Sequence, residues 1–241
     1  MNIFFISSLL LLGTFLGSLL AVLLKKPFLS VGVSLSFTGG VMLVASFTSL
    51  ILPGLEVGSF FEVAFGIVLG FVLMALVESL VPHEHTIKGM EGISPQRLSR
   101  LYLIVFAVII HNIPEGLSVG IASAYSGEKG FQTAIAIALQ DIPEGFVVSL
   151  PLMVITGKVL MPLWVGFLSG FLEAFFSLIG YAFFEVFKSF LAVGLGFGGG
   201  AMVYITAKEV FPEAYAEGKH TQSTIAFLLG LLLMLFLDTS L

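Results

Sequence analysis

Two hexapeptides hold the residues best able to do chemistry: His111-Asn112-Ile113-Pro114-Glu115-Gly116 and Gln140-Asp141-Ile142-Pro143-Glu144-Gly145. Each has polar side chains at its first, second and fifth positions. On a helix the first and fifth share one face, one turn apart. Both motifs lie inside apolar runs of membrane length, where an ionisable group costs roughly 2.5–3.5 kcal/mol to insert and marks a functional site by default. The acids at this depth are Glu115, Asp141 and Glu144, with Glu173 as a fourth, and no Lys or Arg stands near the centre of any apolar run. Four neighbouring carboxylates cannot all ionise without a partner, so they bind cations, hold protons, or alternate between the two. Alternation would couple metal movement to protons. His111 adds an imidazole nitrogen, and Asn112 and Gln140 add amide oxygens. That mixture suits zinc and neighbouring divalent metals better than magnesium or calcium.

The elements that must position these groups are membrane helices. The chain is 58% hydrophobic and only 10% charged, and its mean hydropathy of +1.11 lies far from that of a soluble domain. Apolar runs near 3–24, 31–52, 60–80, 101–125, 131–155, 160–184, 189–211 and 222–238 predict eight transmembrane helices in one all-α domain over residues 1–241. The longest loop is 81–100. The first run lacks a charged start and reads as a membrane helix rather than a cleaved leader. Pro114 and Pro143 remove the N–H groups that would bond the carbonyls of Ile110 and Leu139, so both motif helices are expected to kink. With no cysteine, disulfides and thiolate sites are excluded. No basic cluster suits nucleic acid.

Charge and repetition add a topology. With the N-terminus outside, Lys25, Lys26, Lys88, Arg97, Arg100, Lys158, Lys208 and Lys219 fall at the cytoplasmic side, against Lys129 and Lys188 outside. This positive-inside bias puts both termini outside the cytoplasm. Phe37-Thr38-Gly39-Gly40-Val41-Met42 matches Phe197-Gly198-Gly199-Gly200-Ala201-Met202. Gly13 and Gly17 match Gly166 and Gly170, and the two Ile-Pro-Glu-Gly motifs match each other. With eight spans each matching pair runs antiparallel. That predicts a 3+2+3 inverted repeat with a site near the midplane. The glycine-rich faces also leave room for a homodimer.

The motif pair, in the fourth and fifth of eight predicted helices, resembles the ZIP family of divalent metal transporters, particularly its prokaryotic GufA-like members. The resemblance covers essentially the whole chain. It implies an integral protein of the cell (inner or plasma) membrane that moves Zn2+, or Cd2+, Fe2+ or Mn2+, into the cytoplasm, with no organic cofactor. It also implies a binuclear centre: His111, Glu115, Gln140 and Glu144 on the first metal, joined by a sulfur from Met42; Asn112, Asp141 and Glu173 on the second; Glu115 and Glu144 bridging. Many members carry His-Asn at both motifs, whereas this chain has Gln140-Asp141, a weaker amide ligand and an added carboxylate. Some relatives are described as sliding one helix bundle against another.

Outside the motifs the signals are thinner. Met42 alone reads as core filler. Ser49, which corresponds to Glu209 in the repeat, could line an entrance or simply bond its own backbone. Glu209, Glu213, Glu217 and His220 form a ladder that could receive departing metal or be a solvated helix end. His83 and His85 flank Glu84 in the long loop, where relatives often carry histidines that collect metal. Asp238 could attract cations or mark the membrane boundary, and Glu62 and Glu78 are expected at the interface. An intramembrane metallohydrolase is the alternative function. It needs three strong ligands and an open water position, yet His-Glu-x-x-His is absent and only His111 lies within a run. A metal sensor without transport lacks any sizeable soluble domain.

Overall fold

Within a bilayer the main-chain N–H and C=O groups find no water, so an apolar run must satisfy them internally and becomes helix. The computed structural model describes residues 2–24, 30–80, 83–85, 89–91, 100–156, 158–216 and 218–240. Its helical rods are α1 (Ile3–Leu24), α2 (Val31–Val57), α3 (Phe60–Leu80), α4 (Arg100–Tyr125), α5 (Gly127–Thr156), α6 (Leu160–Val186), α7 (Lys188–Ala216) and α8 (His220–Ser240). Of these, α1, α2, α3, α6, α7 and α8 are each long and apolar enough to cross a membrane. The chain is an all-α polytopic membrane protein. The 81–100 segment, expected as a loop, contains a small antiparallel ribbon of β1 (His83–His85) and β2 (Gly89–Glu91), with His83 opposite Glu91.

Local chemistry fixes several helix ends. The Ser30 hydroxyl accepts from the Val33 N–H at 3.4 Å and caps α2. At α3 the Ser59 N–H donates to Glu62 Oε2 at 2.7 Å while the Glu62 N–H donates back to Ser59 Oγ at 3.3 Å. That reciprocal capping box ties Glu62 to the helix start. Between α7 and α8, Gly218 takes φ +74°, a left-handed conformation that glycine reaches without a Cβ clash.

Neither α2 nor α7 is a uniform α-helix. Each widens into a π-turn, at Ser46–Ile51 and Thr206–Val210, before a last six-residue α-helical piece. Such bulges insert a residue and re-aim the side chains beyond them, and they concentrate at functional sites.

The rods pack in two groups: α1, α4, α5 and α6 together, and α2, α3, α7 and α8 together. Small residues at the crossings let backbones touch. A Cβ on Gly13 would meet the Cα of Ala138 at 2.8 Å, and one on Gly17 the carbonyl of Asp141 at 3.0 Å. Gly66 and Gly70 of α3 lie on the backbone of α7 around Val193 and Phe197, and Gly40 of α2 on α8. These glycine faces are filled by helices of the same chain. The matching of Gly13 and Gly17 with Gly166 and Gly170 fails at the level of contacts. The first pair packs on α5, whereas Gly166 and Gly170 pack on α1, against Ser18 and Leu11.

One interface assignment changes through burial against a neighbouring helix. Glu78, expected at the membrane boundary, is buried between α3 and α7. Tyr204 Oη donates to it, and Lys208 Nζ pairs with it at 2.5 Å. Asp238, at the end of α8, holds a cation of the chain itself: Lys129 Nζ donates to its Oδ1 at 2.6 Å.

Candidate metal centre

Four helices of one group build the site. Both motif helices run through their prolines without interruption, so Pro114 and Pro143 do not end either rod. From α4 come Asn112 and Glu115, from α5 Gln140, Asp141 and Glu144, from α6 Glu173, and from α1 Thr14. The motif glycines set these helices at backbone contact. Gly116 lies against Glu173, where a Cβ would meet the Glu173 Cα at 2.9 Å, and Gly145 lies against Thr14, with the Thr14 carbonyl at 2.6 Å. Each motif therefore carries its own spacer, one residue after its glutamate, that brings a partner helix to the acids.

Carboxylate oxygens of Glu115, Asp141 and Glu144 lie within 4.8 Å of one another. Two full negative charges at that separation repel by about 3.5 kcal/mol at an effective dielectric constant of about 20. Amides hold the cluster: Gln140 Nε2 donates to Glu115 Oε1 at 2.6 Å, and Asn112 Nδ2 donates to Ser169 Oγ at 2.6 Å and also to Glu173 Oε1. Thr14 Oγ1 donates to Glu173 Oε2 at 3.4 Å.

The remaining valences are telling. Glu115 Oε2, Gln140 Oε1 and Asp141 Oδ2 are fully buried and accept no hydrogen bond among the described residues. All three are acceptors. Buried polar atoms are normally satisfied, and exceptions call for an explanation; a set of orphaned acceptors around an acidic cluster is what a bound cation would satisfy. Beside them a cavity of about 10 Å³, close to the least that holds a single water, is lined by Asp141, Glu144 and Asn112 together with Thr14, Ser18, Ser149 and Ser169. Ser149 Oγ donates to Ser18 Oγ at 2.9 Å along its wall.

The other expected residues are distributed unevenly. His111 stands on α4 next to Asn112, and its side chain lies outside the described residues, as do those of His83 and His85 on β1. Met42 is buried in an apolar cluster that also holds Val119 and Ile121 of α4 and Ala136 and Ile137 of α5. Ser49 sits in the α2 π-turn, fully buried, and its hydroxyl has no partner among the described residues, so the backbone-bonded reading does not hold. Glu209 and Glu213 are buried rather than solvated, because the α7 π-turn folds them inward. His220 is exposed and stacks on Tyr215 at 6.0 Å, apart from that pair, and Glu217 lies outside the described residues. Thr14 and Ser169 were not anticipated. The only trace of Thr14 in the sequence is a hydroxyl beside Gly13 on a close-packing helix.

Comparison with known proteins agrees with this architecture. The ZIP zinc transporter family profile matches residues 82–238. The chain is 35% identical to the zinc transporter ZIPB of Bordetella bronchiseptica, over 95% of this chain and 78% of that protein. It is 34% identical to the zinc transporter GufA of Myxococcus xanthus, over 80% of each. With the zinc transporter ZupT of Streptococcus mutans it shares 33% identity over 96% of this chain and 94% of that one. These relatives are named as transporters, and the hydrolase alternative finds no support among them. On the match of the family profile and of these relatives along most of its length, the chain belongs to the ZIP family of zinc transporters.

Proposed function

We propose that this chain carries Zn2+ into the cytoplasm, with Cd2+, Fe2+ and Mn2+ as further substrates, through the carboxylate cluster between α4 and α5. The observation that carries the reading is the set of orphaned buried acceptors, Glu115 Oε2, Gln140 Oε1 and Asp141 Oδ2, within a buried cluster of carboxylates. His111, Glu115, Gln140 and Glu144, with Met42, hold the first ion. Asn112, Asp141 and Glu173 hold the second, and Glu115 and Glu144 bridge. The Asn112–Glu173 and Gln140–Glu115 bonds keep these groups in place without a metal. An arriving ion replaces the amide N–H of Gln140 at Glu115.

In this reading all eight rods cross the cell membrane, both termini lie outside, and the rods form a 3+2+3 inverted repeat. Support for the repeat comes from paired contacts. Gly70 of α3 faces the Phe197 carbonyl of α7, and Gly230 of α8 faces the Phe37 carbonyl of α2, with one constant sequence offset. The two π-turns begin at that same offset. Uptake of radioactive zinc into proteoliposomes tests the function. Wild-type protein should load the vesicles, and Glu115→Ala, Glu144→Ala and His111→Ala should each abolish loading while the protein still inserts. Full uptake by these three variants would refute the site.

A further inference from the structure

The α4–α5 pair that carries the acidic cluster ends in a tight tip. One residue, Ser126, separates the helices; its Oγ accepts from the Lys129 N–H at 3.0 Å and its carbonyl from the Gly130 N–H at 3.0 Å. Gly130 packs so closely on Ser123 that a Cβ there would lie 2.6 Å from the Ser123 Cα. The tip is therefore a stiff continuation of the two motif helices.

Two side chains flanking this tip reach across to the other helix group. Tyr125 Oη, at the end of α4, donates to Glu56 Oε2 at 2.5 Å, near the end of α2. Lys129 Nζ, in the first turn of α5, donates to Asp238 Oδ1 at 2.6 Å, near the end of α8. Their partners sit on different helices of the α2, α3, α7 and α8 group, so the tip is held at two points. The ion pair is only partly exposed, at 24% for Lys129 and 16% for Asp238, which limits its screening by solvent. One turn deeper on α5, Gln132 is fully buried, and its Oε1 lacks a partner among the described residues. Between Gln132 and the cluster, Ala134, Ala136 and Ile137 of α5 pack in the apolar core with Val119 and Ile121 of α4, so Gln132 is a polar group shut beneath the tip.

We propose that Tyr125 and Lys129 are gating residues. They fasten the tip of the α4–α5 pair to α2 and α8, close the cluster toward this face, and must release Glu56 and Asp238 in each transport cycle. The proposal rests on the transport reading above. A group that presents cargo to one face at a time must move against its neighbour, and among the described residues these two polar bonds join the groups at this end. Neither residue touches the cluster, so their effect is on access and not on affinity.

The chain has no cysteine, so a single Gln132→Cys reports access at this end. In full-length protein in proteoliposomes, its labelling by a membrane-impermeant maleimide is expected to be slow. Adding Lys129→Gln or Tyr125→Phe should speed it at least tenfold, and the exchange Lys129→Asp with Asp238→Lys should return it to slow. Ser177→Cys, buried where Ser177 accepts from Ser7 between α1 and α6, is the reference and should stay slow in every background. Unchanged Gln132→Cys labelling in both single variants overturns the proposal. So does an exchange variant that stays fast, or acceleration of both reporters alike, which would mean general loosening. Labelling requires no metal flux: absent zinc uptake with an intact labelling response would count against the transport reading and leave the latch standing.

Discussion

Glu115→Gln separates the charge of the cluster from its shape. The glutamine is isosteric, and its amide oxygen can still accept from Gln140 Nε2, which lies 2.6 Å from Glu115 Oε1. What disappears is one negative charge among three carboxyls within 4.8 Å. In the metal-free protein that removal relieves repulsion of up to about 3.5 kcal/mol per pair, so the variant should unfold at a higher temperature than wild type when both are stripped of metal. With metal the order reverses. Loss of one partner from a buried charged contact costs about 2–5 kcal/mol, which weakens binding about 30- to 5,000-fold. Wild type at a hundredfold excess of zinc over its Kd gains about 2.7 kcal/mol, about 5–10 °C in Tm for a domain of this size. At the same zinc concentration the variant should gain under about 1 kcal/mol. The assay is thermal unfolding in detergent with EDTA and with zinc. A zinc-induced rise equal to that of wild type would refute the reasoning, and so would a metal-free variant less stable than metal-free wild type.

Further expectations concern the surroundings of the cluster. Asp141→Ala should keep metal binding and uptake but change rate or selectivity, read from competition among divalent ions in vesicle uptake; complete loss of binding would contradict its place beside the second ion only. Gly17→Ala puts a methyl 3.0 Å from both the Asp141 carbonyl and the Phe146 N–H, and should cost about 1–3 kcal/mol by overpacking and slow uptake; an unchanged Tm would argue against the α1–α5 contact. Glu78→Ala removes the acceptor of Tyr204 Oη and should lower stability by about 1–3 kcal/mol, read as a fall in Tm, with Glu78→Gln milder because the amide oxygen still accepts from Tyr204.

What the sequence disclosed and what it hid divide along a physical line. Helical runs and the paired motifs are local patterns, set by apolar length and by the i, i+4 spacing, so Glu115, Gln140 and Glu144 could be placed on shared faces from spacing alone. Contacts between distant segments leave little local trace. Thr14 and Glu173 meet through α1–α6 packing, and nothing in the spacing of either helix announces it. The cation that Asp238 holds, Lys129, lies on another helix, so spacing could not name it. Glu78, Glu209 and Glu213 looked like solvated ends, since burial by a neighbouring rod and the inward turn of a π-bulge are tertiary outcomes. Glycine spacing marks a close-packing face but does not say which helix fills it, and at Gly13, Gly17, Gly66 and Gly70 helices of the same chain do.

Crystals soaked in zinc, with diffraction recorded on both sides of the zinc absorption edge, test the central claim most directly. An anomalous peak at coordination distance from Glu115 and Glu144, with a second beside Asp141 and Glu173, is the predicted result. A map with zinc bound elsewhere on the protein and no peak between α4 and α5 would contradict it.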